Sequence, residues 1–324
     1  MRSSARIGSR LACLVGILVG IAIFGIAARG ALAALLAAPP PSPAPAEPPL
    51  ALVLGVAQDG GVPHAGCHQR LCEEARRDPS KRRLVASLGL LDPAAGKRFL
   101  IDATPDFAGQ IELLGGLPDA ILLTHAHIGH YLGLAQLGRE VLGARRMPVY
   151  ATPSMARFLR ENSPWKRLVL LENIELRELA PGATVNLTPS LSVTAIPVPH
   201  RDEDSDTVAF LVTAPRRKLL WLPDIDKWEK WDRRIEEMLR DPALVAFVDG
   251  TFFSADEIPG RSIAEIPHPL VSETMDCFGT DPPRGRLFFV HLNHTNRLLW
   301  DRSAIRQVEA KGFRIAKEGM RLPL

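Results

Sequence analysis

A chain of 324 residues with 39 Lys and Arg against 36 Asp and Glu carries a formal net charge of only +3. That balance gives no reason to expect a nucleic-acid partner, and the length is enough for a substantial core. Residues 1–49 hold four Arg and one Glu, which leaves 35 basic against 35 acidic residues in the remainder. The positive excess therefore belongs to the N-terminal segment.

Within that segment, Arg2, Arg6 and Arg10 precede Leu11–Ala28, a run without a single charge. Its length is about that of a bilayer span and long for the core of a signal peptide. The basic flank predicts a cytoplasmic N-terminus with the rest exported, an inner-membrane anchor holding the domain in the periplasm or outside. Ala31-Leu32-Ala33 resembles a signal-peptidase site and keeps secretion after cleavage open. Pro39–Pro49 has seven prolines in eleven residues and reads as an extended spacer. The expected organisation is a signal anchor or signal peptide over 1–38, a Pro-rich linker over 39–49, and one domain over 50–324.

In the domain, apolar runs alternate with helical ones. Strands are expected at Leu50–Ala57, Leu84–Leu91, Arg98–Ile101 and Ala120–Leu123. Further strands are expected at Leu191–Val198, Val208–Val212, Leu219–Leu222, Leu244–Val248 and Leu287–Val290. Helical spacing marks Phe107–Leu114, Tyr131–Leu142, Met155–Arg160, Trp228–Leu239 and Arg302–Ala310. This mixed order predicts a layered α/β fold, and 275 residues suit a single two-sheet sandwich. The glycine-rich GVAQDGG at Gly55–Gly61 has neither dinucleotide-loop nor P-loop spacing.

The densest chemistry lies in Thr124-His125-Ala126-His127-Ile128-Gly129-His130. His125 and His127 are two apart on extended backbone and point the same way, and His130 follows on the first turn beyond. Imidazole is a common ligand for zinc and iron, so this turn is expected to hold a cation. The plain alternative is three histidines hydrogen-bonded in a loop. His200, Asp224, His291 and His294 also lie just past apolar runs, so strand ends could gather them at one sheet edge. Singly, such residues are ordinary turn formers.

The order strand-HxHxxH-helix, then a lone His, an Asp and a terminal His resembles the metallo-β-lactamase superfamily. Gly55–Cys72, Phe247–Phe252 (FVDGTF), Asp256-Glu257, His291–Asn296 (HLNHTN) and Glu318-Gly319-Met320 are similar to the branch of coenzyme PQQ synthesis protein B. The HxxHT ending also resembles phosphoribosyl cyclic phosphodiesterases. The resemblance implies a four-layer αβ/βα sandwich. It implies a first metal on His125, His127 and His200, a second facing His130 and His291, and Asp224 bridging them. His125, His127, His130 and Asp224 would be the catalytic set. Zinc is the implied ion, with iron or manganese as alternatives, and the activity is hydrolysis of a small ester, phosphodiester or amide by a metal-bound hydroxide. Where the superfamily motif reads HxHxDH, this chain has Gly129, so the second site is expected to have fewer charges and one metal to be held more tightly. Two other activities follow: an iron-dependent oxygenase, as implied by the PQQ branch, and a catalytically silent metal-binding protein.

Cys67 and Cys72 have a spacing that fits a zinc pair, a short-loop disulfide or free thiols. The resemblance implies a structural zinc on Cys67, Cys72, His294 and either His68 or His64. Cys277 and Cys13 show no catalytic setting. Trp165, Trp228 and Trp231 are expected to pack, His268 is a spare cleft residue, and Asp102 or the Asp202–Asp206 loop could orient a ligand histidine. The partner implied is a small-molecule substrate. Neither its identity nor an oligomeric state can be read from these residues.

Overall fold

The structure, a computed structural model, describes residues 47–324 apart from 259, 261, 263 and 264. The described residues belong to one compact unit. The expected anchor over 1–38 and most of the linker lie outside them. Among the described residues, no helix is long and apolar enough to cross a membrane.

Two seven-stranded mixed sheets face each other. The first contains β1 (Leu50–Gly55), β2 (Ser87–Asp92), β3 (Lys97–Ile101), β4 (Ala120–Leu122), β5 (Met147–Ala151) and β6 (Ile174–Glu178). The second contains β7 (Thr184–Asn186), β8 (Ser192–Pro197), β9 (Val208–Thr213), β10 (Lys218–Leu222), β11 (Leu244–Asp249), β12 (Leu287–Val290) and β13 (Arg314–Ile315). The final strand, β14 (Arg321–Pro323), returns to pair antiparallel with β1. From β3 to β6 and from β10 to β13 the pairing is parallel, and elsewhere it is antiparallel.

Eight helices complete the described architecture: α1 (Arg70–Arg77), α2 (Phe107–Leu114), α3 (Ile128–Tyr131), α4 (Pro153–Glu161), α5 (Trp165–Leu170), α6 (Ile235–Met238), α7 (Val271–Cys277) and α8 (Arg302–Ala310). Between the sheets, Val53, Leu88, Leu90 and Phe99 meet Val193, Phe210, Trp221 and Phe247. The outer face of the first sheet packs on α2, α4 and α5 through Phe107, Met155, Leu159 and Leu168. The outer face of the second packs on α6, α7 and α8 through Ile235, Val271, Met275, Ala304 and Val308. Helices thus cover both outer faces, because strands buried on two faces need apolar cover on each.

The strand expectations hold to within a few residues, with particular physical exceptions. β1 ends early because the register shifts between Val53 and Gly55. A Cβ on Gly55 would lie 1.9 Å from the Val85 carbonyl oxygen, so this close approach requires glycine. The helix expected over Tyr131–Leu142 is instead the short α3 followed by a 3-10 turn, Leu132–Leu137. There Gly133 presses against the backbone of Ala103 and Thr104. The helix expected over Trp228–Leu239 breaks at Trp231, which is extended and donates its indole N–H to the Pro197 carbonyl at 3.0 Å. β5 and β6 escaped notice because one contains Pro148 and the other is a charged, partly exposed edge.

Trp221 is fully buried between the sheets, its ring 5.9 Å from that of Phe247. Trp221→Ala is expected to lower stability by about 3–5 kcal/mol, measurable by urea unfolding.

Candidate metal centre

The site forms along one edge of the sandwich, at the C-terminal ends of strands from both sheets. β3 runs into Asp102 and β4 into Thr124–His127. β8 leads to His200, β10 to Asp224, β11 directly to its last residue Asp249, and β12 to His291. Asp102 and His291 have φ of 67° and 61°. Such a backbone costs about 1–3 kcal/mol in a non-glycine residue and persists only where the surroundings enforce it.

The structure brings His125, His127, His130, His200, Asp224 and His291 together. His125 Nε2 lies 2.9 Å from His127 Nδ1, and the donor atoms of His125, His127 and His200 lie within 4.8 Å of one another. Asp224 is 3% exposed and stands between this set and a second one. Its Oδ1 is 3.6 Å from His200 Nε2, while Oδ2 is 3.1 Å from His130 Nε2 and 3.3 Å from His291 Nε2.

Each sheet supplies one aspartate that orients these rings. Asp102 accepts from His130 Nδ1 at 2.9 Å and from the Thr124 hydroxyl at 3.0 Å, and Thr124 Oγ1 is 3.0 Å from His125 Nδ1. Across the cleft, Asp249 accepts from the Thr251 hydroxyl at 2.7 Å, and that oxygen is 3.0 Å from His291 Nδ1. With Nδ1 engaged in each ring, Nε2 is left to face the cluster.

Sequence reasoning gave His268 little weight, yet it belongs to the site. It is 5% exposed, its Nδ1 is 2.7 Å from Asp249 Oδ2, and its ring lies 5.2 Å from that of His200. Asp59 was missed altogether. It sits on the turn after β1, with Oδ1 3.4 Å from both His130 Nε2 and His291 Nε2. The only available signal was an acidic residue inside GVAQDGG, a loop that matched no known phosphate-binding spacing. The expectation of a second set poor in negative charge is corrected: Asp59 adds a carboxylate beside Asp224.

Electrostatics follow from burial and these partners. Burial holds His125 well below the usual imidazole range and lowers His200 to about 4. Burial also opposes charge on His130 and His291. Asp102 and Asp224 nevertheless raise the first well above the usual value, and Asp224 and Asp59 raise the second. Burial likewise opposes ionisation of Asp224, yet His291 and His130 hold its pKa well below the ordinary carboxylate range. A cation in the second set therefore competes with protons on those two rings.

The donors fit a metal. Among the described residues, both ring nitrogens of His200 are buried without a hydrogen-bond partner, while His130 Nε2 and Asp224 Oδ2 make no hydrogen bond beyond their ion-pair contact at 3.1 Å. Unpartnered buried polar atoms cost stability, and a cation would satisfy several at once.

The second cluster contains Cys67, Cys72 and His294. His294 Nδ1 is 3.4 Å from Cys67 Sγ and 3.8 Å from Cys72 Sγ. Both cysteines are free, so the disulfide alternative is not adopted. The backbone N–H groups of His64 and Gln69 donate to the sulfurs of Cys72 and Cys67. His68 is not brought to this cluster: its side chain is 86% exposed and pairs with Glu73, because the chain turns outward to start α1. His64 is nearer, its ring centroid 4.5 Å from that of His294. The Asp202–Asp206 loop does reach a histidine of the cluster: Glu203 Oε2 is 3.2 Å from His127 Nε2.

A fold and site of this kind define a metallo-β-lactamase-type protein. The beta-lactamase superfamily domain model matches residues 97–292, and the chain belongs to that superfamily. Among curated relatives, coenzyme PQQ synthesis protein B of Methylorubrum extorquens (strain PA1) is 26% identical over 308 residues, covering 84% of this chain and 99% of that protein. The structure of Zn(2+)-bound PqqB from Methylobacterium extorquens superposes with a TM-score of 0.71 at 24% identity, covering 85% of this chain and 100% of that one. A diphosphatase from the PhnP family superposes with a TM-score of 0.63 at 25% identity, covering 85% and 96%.

His127→Ala and Cys72→Ala are each expected to lose one metal equivalent, from different sites. Elemental analysis of both variants and their combination reads the outcome. Independent losses add in the double variant.

Proposed function

We propose that this chain is a metal-dependent hydrolase of a small phosphoester, with a phosphodiester or diphosphate as the favoured bond. The observation that carries the reading is Asp224, one buried carboxylate serving two sets of imidazoles. The likeness to a PhnP-family diphosphatase supports the substrate class. Bound cations would supply a water acidic enough to attack near neutral pH and would offset charge on the leaving oxygen.

The remaining work falls to the chain's own residues. Asp102 and Asp249 hold the rings at fixed angles, so little reorganisation is needed as charge develops. His268 is the proposed general acid. Asp249 Oδ2 accepts from its Nδ1 at 2.7 Å and fixes the ring, which leaves Nε2 to carry the proton for the departing oxygen.

A second reading is an iron-dependent oxygenase, favoured by the match over nearly the full length of a PQQ synthesis protein. The position of Asp224 between the two imidazole sets favours hydrolysis over it. The silent-module reading rested on Gly129, and Asp59 removes its motive. The discriminating experiment is turnover of bis(p-nitrophenyl) phosphate by protein loaded with zinc or manganese, beside dioxygen uptake by protein loaded with ferrous iron. Phosphodiester cleavage without dioxygen uptake is expected, and the reverse result overturns the hydrolase reading. His268→Ala should lower kcat by about 10²–10⁴-fold, the usual contribution of a general acid, while metal content is unchanged.

For the segment outside the described residues we propose an inner-membrane anchor built on Leu11–Ala28, with the domain exported. The full chain should sediment with membranes and resist extraction by carbonate, and deletion of residues 1–38 should release it. A shortened, soluble mature protein would instead indicate cleavage.

A further inference from the structure

We infer that Asp59 and Gly129 are two halves of one exchange: the carboxylate of the second metal set has moved from the histidine motif to the turn after β1. The inference rests on the reading that the histidine cluster binds metal, and identifies which residue completes it.

Steric exclusion is the first observation. A Cβ built on Gly129 would lie 2.1 Å from Asp59 Oδ1 and 2.7 Å from Asp59 Cα. Any side chain at position 129 and the present course of Asp59 therefore exclude each other. Aspartate at the motif position would project into the volume that the Asp59 carboxylate now fills. Glycine here answers a packing demand, since its φ is not in the left-handed region.

The second observation is where that carboxylate ends. Asp59 Oδ1 is equidistant from His130 Nε2 and His291 Nε2, at 3.4 Å, and the donor atoms of all three lie within 4.8 Å of one another. With Asp224 Oδ2 close to the same two nitrogens, the second set offers two imidazoles and two carboxylates. Such a mixed nitrogen and oxygen set suits zinc or manganese.

The turn is built to hold this position. Gly61 N donates to the Gln58 carbonyl at 2.7 Å, and Gly61 has φ of 64°. Gln58 N donates to the Leu292 carbonyl at 2.9 Å, and the Asn293 amide bonds the Gln58 side chain. Asp59 is thus fastened to the loop that carries His291. Farther along the chain, Cys67 on the first of these loops and Cys72 in α1 meet His294 on the second.

The test measures metal content and affinity in the full chain, by elemental analysis and chelator competition, with no reference to turnover. Asp59→Asn keeps the shape of the side chain and removes its charge. It should weaken the second equivalent by more than the roughly 10–100-fold that loss of an outer-shell partner costs, leaving the first and the cysteine-bound equivalents in place. Gly129→Asp alone should also lose the second equivalent, because the new side chain displaces the turn. Asp59→Gly combined with Gly129→Asp should recover it. Full second-site affinity in Asp59→Asn overturns the inference. So does a folded double variant, with a wild-type thermal midpoint, that binds no better than Asp59→Asn. Wild-type protein holding metal at the cysteines alone overturns this inference and the hydrolase reading together, whereas two cluster equivalents unaffected by Asp59→Asn overturn only this one.

Discussion

A carboxylate buried at the heart of a ring of imidazoles is the constraint around which this molecule is arranged. Asp224 is almost inaccessible to water, so its charge persists only because His291 and His130 approach Oδ2. An isolated buried carboxylate would neutralise instead. Among the described residues, both ring nitrogens of His200 are buried without a hydrogen-bond partner. Protons on His130 and His291 relieve part of this imbalance, and cations would relieve more. The cluster is thereby set up to exchange protons for metal.

Holding that cluster falls to both sheets in parallel fashion. The first gives Asp102 and Thr124, the second Asp249 and Thr251, and each pair fixes two imidazoles by the same chain of hydrogen bonds. The left-handed backbone at Asp102 and His291 falls on these two arms. Farther out, polar groups lock the supporting loops: Glu318 accepts from Leu84 N, and Glu257 accepts from the N–H groups of Phe253 and Arg297. Both carboxyls have pKa values raised by burial. Residues that resemble a family signature in sequence thus act here as backbone clamps.

Much of the architecture could be read before any coordinates. The strands facing both apolar layers, such as β10 and β12, are short unbroken hydrophobic runs and stood out at once. β6 did not, because an exposed edge strand carries charged residues and loses that signal. The histidine motif was legible because its three imidazoles are local, and their relation follows from backbone periodicity alone. Asp102 was readable as an orienting group since it follows the strand that precedes the one leading into the motif. His68 and His64 were equal candidates beside the cysteines until the turn into α1 sent one ring outward.

By itself, the sequence determined the alternation of strands and helices, the histidine turn, and the strand-end positions of His200, Asp224 and His291. Each depends on neighbours a few residues away. Only the tertiary structure decided that Asp59 stands in the space left open by Gly129, that His268 shares Asp249 with Thr251, and that His64 rather than His68 lies beside His294. Those relations join residues that lie far apart in the chain. They arise from how loops pack at a common edge, and nothing in the local order of residues encodes that packing.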